Sequence, residues 1–173
     1  DAMIAEYRTP QALQESIDLM RIGRREIETN PDGISLGGPF LETLSIAGIL
    51  TRENLADPAS SSYQIGLDMI VEGAMSAMGF VWITTPDNNR LAQIEAGRAY
   101  LRVALQATAD RLQMQPMSQA LQEYAAMRPF YQSIHDTLTR RLGETVQMLA
   151  RLGYARNIAP APRWPLHTRI KES

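Results

Sequence analysis

The stretch that decides the fold is EAGRAYLRVALQATA, residues 95–109, which continues after two residues as LQMQPMSQ, residues 112–119. The first part predicts an amphipathic helix over residues 91–111, because its larger apolar side chains recur on one helical face. The second part predicts a strand that ends in a polar turn. The face comprises Leu91, Ile94, Leu101, Leu105 and Thr108.

Two further segments predict strands. The run GFVWITT, residues 79–85, is β-branched and aromatic on both faces, which is typical of a central strand. Residues 145–154 alternate apolar and polar side chains with a period of two. Helices are predicted over residues 9–25, 40–50 and 63–78, and from about residue 121 with a break at Arg128-Pro129. The segment from Ala159 to Pro165 is proline-rich and is expected to be extended. This pattern predicts an α+β fold.

Composition narrows the function classes. The chain has 173 residues, which favours a single domain spanning residues 1–173. Its net charge of −2 gives no electrostatic reason to expect nucleic acid as a partner. There is no cysteine, which removes disulfides and thiol chemistry. The two histidines, His135 and His167, lack metal-ligand spacing, so no metal site is predicted.

The chain begins at Asp1 without a signal peptide or an apolar run of membrane-spanning length. We therefore expect no membrane association of this segment. A cytoplasmic location is favoured, and export is expected only if an upstream segment carries a signal. Catalytic motifs are also missing. The serines at positions 60–62 have no nucleophile elbow, and Gly37-Gly38 belongs to no phosphate-binding loop. No catalytic residue is assigned.

The order of helix, strand and turn in residues 95–119 resembles the nitroreductase family of flavin proteins. The C-terminal run from Arg151 to Leu166, with Leu152-Gly153-Tyr154 and a proline-rich arm, resembles the ending of that family. The resemblance extends over residues 18–166 and is closest to a branch in which two nitroreductase-like halves are fused. This chain resembles the C-terminal half. The resemblance implies a mixed central β-sheet flanked by helices.

The resemblance also implies a site for FMN. Arg21, Arg24 and Arg25 match a helix-borne arginine cluster that binds the FMN phosphate, which suits guanidinium forks. They lack the usual order of that cluster, and the alternative is a solvated basic helix end. Arg163 matches the basic residue before Pro-Leu that reaches the same phosphate, and the alternative is a surface arginine on an extended tail.

The turn of Pro116, Met117, Ser118 and Gln119 matches a turn whose backbone amides lie near N5 and O4 of the flavin. It departs from active members at Ser118, where an acidic residue is common, and at Gln119, where glycine is common. The alternative is a strand end without a ligand.

The function implied is an FMN-binding oxidoreductase that transfers hydride from NAD(P)H to a nitroaromatic or quinone acceptor. Its site would be completed by a second nitroreductase-like half or by a homodimer. Two other hypotheses stay open. The chain could be a non-catalytic module that binds or stores flavin, or a structural half that completes a dimer-like core.

Overall fold

The computed structural model describes residues 1–156 and 160–170. The described chain divides into two compact units, one formed by residues 1–6 and 70–156 and the other by residues 7–69 and 160–170. We call them the antiparallel unit and the parallel unit, after their sheets. Both combine helices with strands, so the predicted α+β class is confirmed. The single domain over residues 1–173 stays a prediction.

The parallel unit contains a two-stranded parallel sheet, in which Arg21 is opposite Ser35. Its core is made of aliphatic side chains and Tyr63, and Ile17 is fully buried. Tyr63 accepts a hydrogen bond at its carbonyl from the Tyr7 hydroxyl. The elements are α2 (Pro10–Asp18), β1 (Met20–Ile22), α3 (Gly23–Thr29), β2 (Ile34–Leu36), α4 (Pro39–Ile46), α5 (Arg52–Ala56) and the first part of α6 (Ser61–Met75).

The antiparallel unit contains a three-stranded antiparallel sheet. Its core includes Val146 and Ala150 of the middle strand, together with Met127. The helix α1 (Ala2–Tyr7) begins this unit. The remaining elements are the end of α6, β3 (Gly79–Thr85), α7 (Arg90–Ala109), β4 (Gln113–Pro116), two 3-10 turns (Gln119–Leu121 and Ala125–Met127), α8 (Arg128–Leu138) and β5 (Thr145–Gly153).

The sheets differ from the predicted arrangement. The described strands form two small sheets, whereas one mixed central sheet was expected. The run at residues 79–85 is a strand, as predicted, but its position as a central strand is wrong. The middle strand is β5, and β3 lies at the edge. Phe80 and Trp82 are 50% and 44% exposed. They are two residues apart on β3, so their side chains lie on the same face of the sheet.

Two predicted helices are also corrected. The helix expected over residues 9–25 ends at Asp18, and β1 follows it before α3 begins. The break expected at Arg128-Pro129 is instead the start of α8. Proline fits there because the first residues of a helix have no internal acceptor for their N–H groups. The arm at residues 160–165 lies outside helices and strands, as predicted, while Ala159 lies outside the described residues.

The long helix α7 confirms the prediction for residues 91–111, but the packed face is the opposite one. Ala96 and Ala107 are buried, whereas Leu91 is 67% and Leu105 is 63% exposed. Ile94 and Leu101 are exposed on the same side as Leu105. We call the side chains of Leu91, Ile94, Leu101 and Leu105 the α7 stripe. In the described residues, no helix is both long and apolar enough to cross a membrane.

Candidate functional site

The turn after β4 is held in place by the sheet. The amide of Met117 donates to the carbonyl of Leu149 at 2.8 Å, which extends the pairing of β4 with β5 by one bond. The chain then forms the 3-10 turn Gln119–Leu121. In the described chain, the backbone N–H groups of Ser118, Gln119 and Ala120 have no intramolecular acceptor, as is usual at the start of a helical turn.

An apolar cavity of about 410 Å³ lies beside this turn, inside the antiparallel unit. Its volume is within the range of ligand pockets, roughly 300–1,000 Å³. Met117 and Gln119 of the predicted site line it, and Pro116 and Ser118 do not. The other walls come from the start of α1, the end of α6, α8 and Leu149 of β5, with Ile70, Val71, Ala74, Met75, Ala120, Phe130, Ser133 and Ile134 among the lining residues.

Gln119 is one of three polar residues that line this cavity, with Asp1 and Ser133. Its side-chain oxygen is buried and lacks a hydrogen-bond partner among the described residues. A buried acceptor without a donor carries a desolvation cost of about 1–3 kcal/mol. The sequence reasoning selected Gln119 for its backbone, so it missed the side-chain carbonyl.

The α8 wall of the cavity is tied to the sheet by His135. Its Nε2 accepts a hydrogen bond from the amide of Val146 at 3.0 Å. Its Nδ1 lies 2.8 Å from the carbonyl of Tyr131, whose ring stacks on the imidazole. Burial, and then the charge of Glu123, raise the pKa of the Tyr131 phenol. The histidine therefore positions the helix that carries Phe130 and Ile134.

Arg21, one of the four predicted phosphate ligands, is engaged within the parallel unit. Its guanidinium forms an ion pair with Asp32 at 2.8 Å and also donates to the carbonyls of Asp18 and Met20. The remaining nitrogen, Nε, is buried without a partner in the described chain. The side chain is 19% exposed. Arg21 thus fixes the loop between α3 and β2 and presents little of its charge to a ligand.

Arg24 and Arg25 lie together at the start of α3. They line a polar cavity of about 480 Å³ with Glu28 and Glu42. Arg24 forms an exposed ion pair with Glu28 at 2.6 Å. That hydrogen bond is the largest cause of the raised pKa of Arg24. The two carboxylates would repel a phosphate dianion, so this cavity should bind an anion less strongly than its two arginines alone would.

Arg163 lies in a different cavity of the parallel unit, of about 360 Å³, which Asp32 also lines. Its guanidinium donates at 3.4 Å to the carbonyl of the preceding Pro162. The neighbouring Trp164 donates its indole N–H to Asp32 at 2.8 Å. Arg169 stacks on the Trp164 ring, with its Cζ 4.4 Å from the ring centre. Asp32 therefore connects Arg21 to the arm that carries Arg163.

The predicted site residues thus fall into three places. Arg24 and Arg25 share one cavity, Arg163 lines another beside the partner of Arg21, and the turn belongs to the antiparallel unit. The roles of Asp32, Trp164 and Arg169 were missed. Only the pairing of an indole with two arginines on a short arm could have drawn attention to them. No cluster of three or more potential metal ligands occurs in the described ranges.

Comparisons of this chain with protein-family models, curated proteins and solved structures found no match. The α+β class rests on the observed elements. The resemblance to the nitroreductase family remains a prediction from the residues quoted above.

Proposed function

We propose that the chain is one half of a nitroreductase-type flavoprotein, in which the apolar cavity of the antiparallel unit takes the isoalloxazine ring of FMN. When bound, FMN supplies the hydride chemistry between NAD(P)H and a nitroaromatic or quinone acceptor. The residues of the chain bind and orient the ring and keep water from it. A second copy or a second half completes the site.

One observation carries the proposal. The turn that the resemblance assigns to the flavin borders the apolar cavity of about 410 Å³. A flavin ring is planar and largely apolar on its faces, so Phe130, Ile134 and Leu149 suit it. Its edge carries an imide N–H, and Ser133 on the cavity wall has a hydroxyl that can accept a hydrogen bond. Shape, polarity and hydrogen bonding therefore agree at one place.

The turn also suits the reduced ring. A reduced flavin carries negative charge near N1 and the carbonyl oxygens, and backbone amides stabilise such charge. Gln119 and Ala120 line the cavity, and their N–H groups have no acceptor among the described residues. They are free to donate to a ligand there. This feature supports binding and tuning of flavin by main-chain atoms, which requires no acidic residue at Ser118.

The need for a second unit is supported by the α7 stripe. Four large aliphatic side chains are exposed on one face of the helix, and an exposed apolar row of this kind is unfavourable in water. A second copy that presents the same stripe would cover it across a two-fold axis. We therefore propose a homodimer for the isolated chain and the fused partner half for a longer protein.

The test is flavin uptake by a cavity-filling variant and its matched control. The purified chain should take up FMN and show flavin absorbance bands. Ala120→Phe places a ring in the cavity, and we expect loss of FMN uptake. Ala126→Phe is the control, because Ala126 is exposed and does not line the cavity. Unchanged far-UV circular dichroism in both variants would show that they fold. Equal uptake by both variants, or no uptake at saturating FMN, would reject the proposal.

A specific observation favours the structural alternative. Two of the arginines assigned to the phosphate, Arg21 and Arg24, are already paired with carboxylates. A half that only completes a dimer-like core requires no phosphate site. Flavin uptake at saturating FMN distinguishes this alternative from the proposed function, because a structural half takes up no flavin. A flavin-storing module would bind FMN without reduction by NADH or NADPH, whereas the proposed oxidoreductase half would be reduced once its partner is present.

A further inference from the structure

Both ring nitrogens of His135 are committed to hydrogen bonds that fix the state of the ring. The Tyr131 carbonyl can only accept, so Nδ1 must carry the proton. The Val146 amide can only donate, so Nε2 must be unprotonated. This arrangement requires the neutral imidazole with its proton on Nδ1. An imidazolium would direct a second N–H at the amide of Val146.

The position of the bond from Val146 to His135 in the sheet explains why it stabilises the fold. β4 runs beside β5 only from Ala150 to Gly153, so the earlier residues of β5 lack that neighbour. Val146 is 3% exposed, and its amide would be buried without an acceptor if His135 left. His135 lies in the last turn of α8, where a positive charge is favoured by the helix dipole. Both forms of the ring therefore have a stabilising environment.

We infer that His135 is a proton-sensitive clasp, which in its neutral form holds the α8 wall of the cavity against β5 and on protonation releases it. The clasp would regulate the cavity to which we assign FMN. The inference rests on the proposed function only for the identity of that ligand. The bond needs an unprotonated Nε2, so it is lost when that nitrogen gains a proton.

Few charged groups lie on the elements that pack against α8. The two 3-10 turns have no ionisable side chain, and β5 has only Arg151, which bonds to Gln115 and Ser76 at the far end of the strand. The connection to β5 has Glu144, whose carboxylate accepts from the amides of Arg140 and Arg141. The other ionisable groups nearby are Arg128, Tyr131 and Asp136 on α8, Arg140 and Arg141 after it, Glu123 and Tyr124 before it, and Asp1 and Glu6 at the ends of α1.

The test measures amide hydrogen exchange at Val146 by NMR in the full chain, without flavin, at pH 7.5 and 5.5. Protection factors correct for the pH dependence of exchange itself. In the wild type, we expect the protection factor of the Val146 amide to fall about five- to tenfold at the lower pH, the factor set by one ordinary hydrogen bond. Protection of the Ile134 amide on the cavity wall should fall with it.

Two variants make the test specific. His135→Gln keeps an acceptor near the position of Nε2 that does not titrate, so protection at Val146 should no longer depend on pH. His167→Gln removes the other histidine and should retain the wild-type fall. Equal protection at both pH values in the wild type would overturn the inference, as would the same fall in His135→Gln.

A parallel FMN titration at both pH values separates this inference from the proposed function. The comparison of wild type with His135→Gln corrects for titration of the FMN phosphate itself. If FMN fails to bind while the protection of the Val146 amide still depends on pH, the clasp stands and the proposed function fails. If FMN binds equally well to both proteins at pH 5.5 while that protection depends on pH only in the wild type, the regulatory part of the inference is wrong.

Discussion

The indole N–H of Trp164 donates to Oδ2 of Asp32 at 2.8 Å and joins the C-terminal arm to the loop before β2. The other carboxylate oxygen of Asp32 accepts from Arg21 at 2.8 Å. Arg169 covers the indole ring. Hydrogen bonds from Trp164 and then from Arg21 hold the pKa of the Asp32 carboxyl below its usual range. A single exposed carboxylate thus organises both the arm and β1.

The first prediction concerns this carboxylate and pH. A lowered carboxyl pKa in the folded chain means that the interaction is present above the ordinary value of 3.8 and is lost as the pH falls below it. We expect the fluorescence of Trp164, read in a Trp82→Phe background, to change below that pH. Asp32→Asn has no proton to gain and should show no such transition. A transition of the same midpoint in Asp32→Asn would assign it to another group.

The second prediction concerns Gly33, next to Asp32. Gly33 has φ of +70°, and an added Cβ would lie 2.2 Å from the carbonyl oxygen of Leu19. Gly48 has φ of +71° with nothing within 4 Å, so it is a matched control. Gly48→Ala should cost about 1–2 kcal/mol of unfolding free energy for the left-handed backbone. Gly33→Ala should cost a further 1–3 kcal/mol or so, because the Leu19 carbonyl must move. Urea denaturation measures both, and equal losses would show that the loop relaxes.

The sequence predicted the elements whose signals are local. β5 has a clear period of two, α7 has a sustained helical repeat, and both are present. β1 was missed because three residues between two helices give too short a pattern to distinguish. The position of β3 was wrong because apolar residues on both faces indicate contact with other elements. They do not indicate which strand lies in the middle of the sheet.

In the candidate site too, the features with local sequence signals were predicted and those that depend on tertiary contacts were not. The turn at residues 116–119 was located from its order after α7 and β4, and the cavity beside it depends on Phe130, Ile134 and the start of α1, which no local motif marks. The arginines were chosen by residue type alone. Their pairing with Asp32 and Glu28 depends on contacts that form only after folding. Sequence patterns locate backbone features more readily than they locate the free charges of a binding site.

The third prediction concerns association through the α7 stripe. Leu105→Glu places a charge in the exposed row and should convert a homodimer to a monomer, because a buried unpaired carboxylate is strongly unfavourable. Leu142→Glu is the control, since Leu142 is fully exposed in the turn before β5. Sedimentation equilibrium over a range of concentrations measures the change. A wild-type monomer at high concentration would contradict the prediction, as would a dimer unaffected by Leu105→Glu.

The fourth prediction concerns the phosphate of FMN. If Arg163 binds it, Arg163→Ala should weaken FMN binding by about 1.5–3 kcal/mol, the range for hydrogen bonds to charged groups. Arg24→Ala should have a smaller effect, because Arg24 is already paired with Glu28. Arg141→Ala serves as the control, because Arg141 is exposed and lines none of the three cavities described above. Isothermal titration with FMN and with riboflavin separates phosphate from ring contacts. An unchanged FMN dissociation constant in Arg163→Ala would remove this assignment.

The fifth prediction concerns turnover by the isolated chain. Hydride transfer requires the nicotinamide C4 to lie at near-attack distance from flavin N5. The Ser118-Gln119 turn departs from the pattern that the resemblance implies for active nitroreductases, and Arg21 and Arg24 are paired with carboxylates. We therefore expect weak FMN binding and little or no NADH- or NADPH-dependent reduction of a nitroaromatic acceptor. Addition of an upstream nitroreductase-like half should raise flavin occupancy. Rapid turnover by the 173-residue chain alone would instead show that two copies of this half build a complete site.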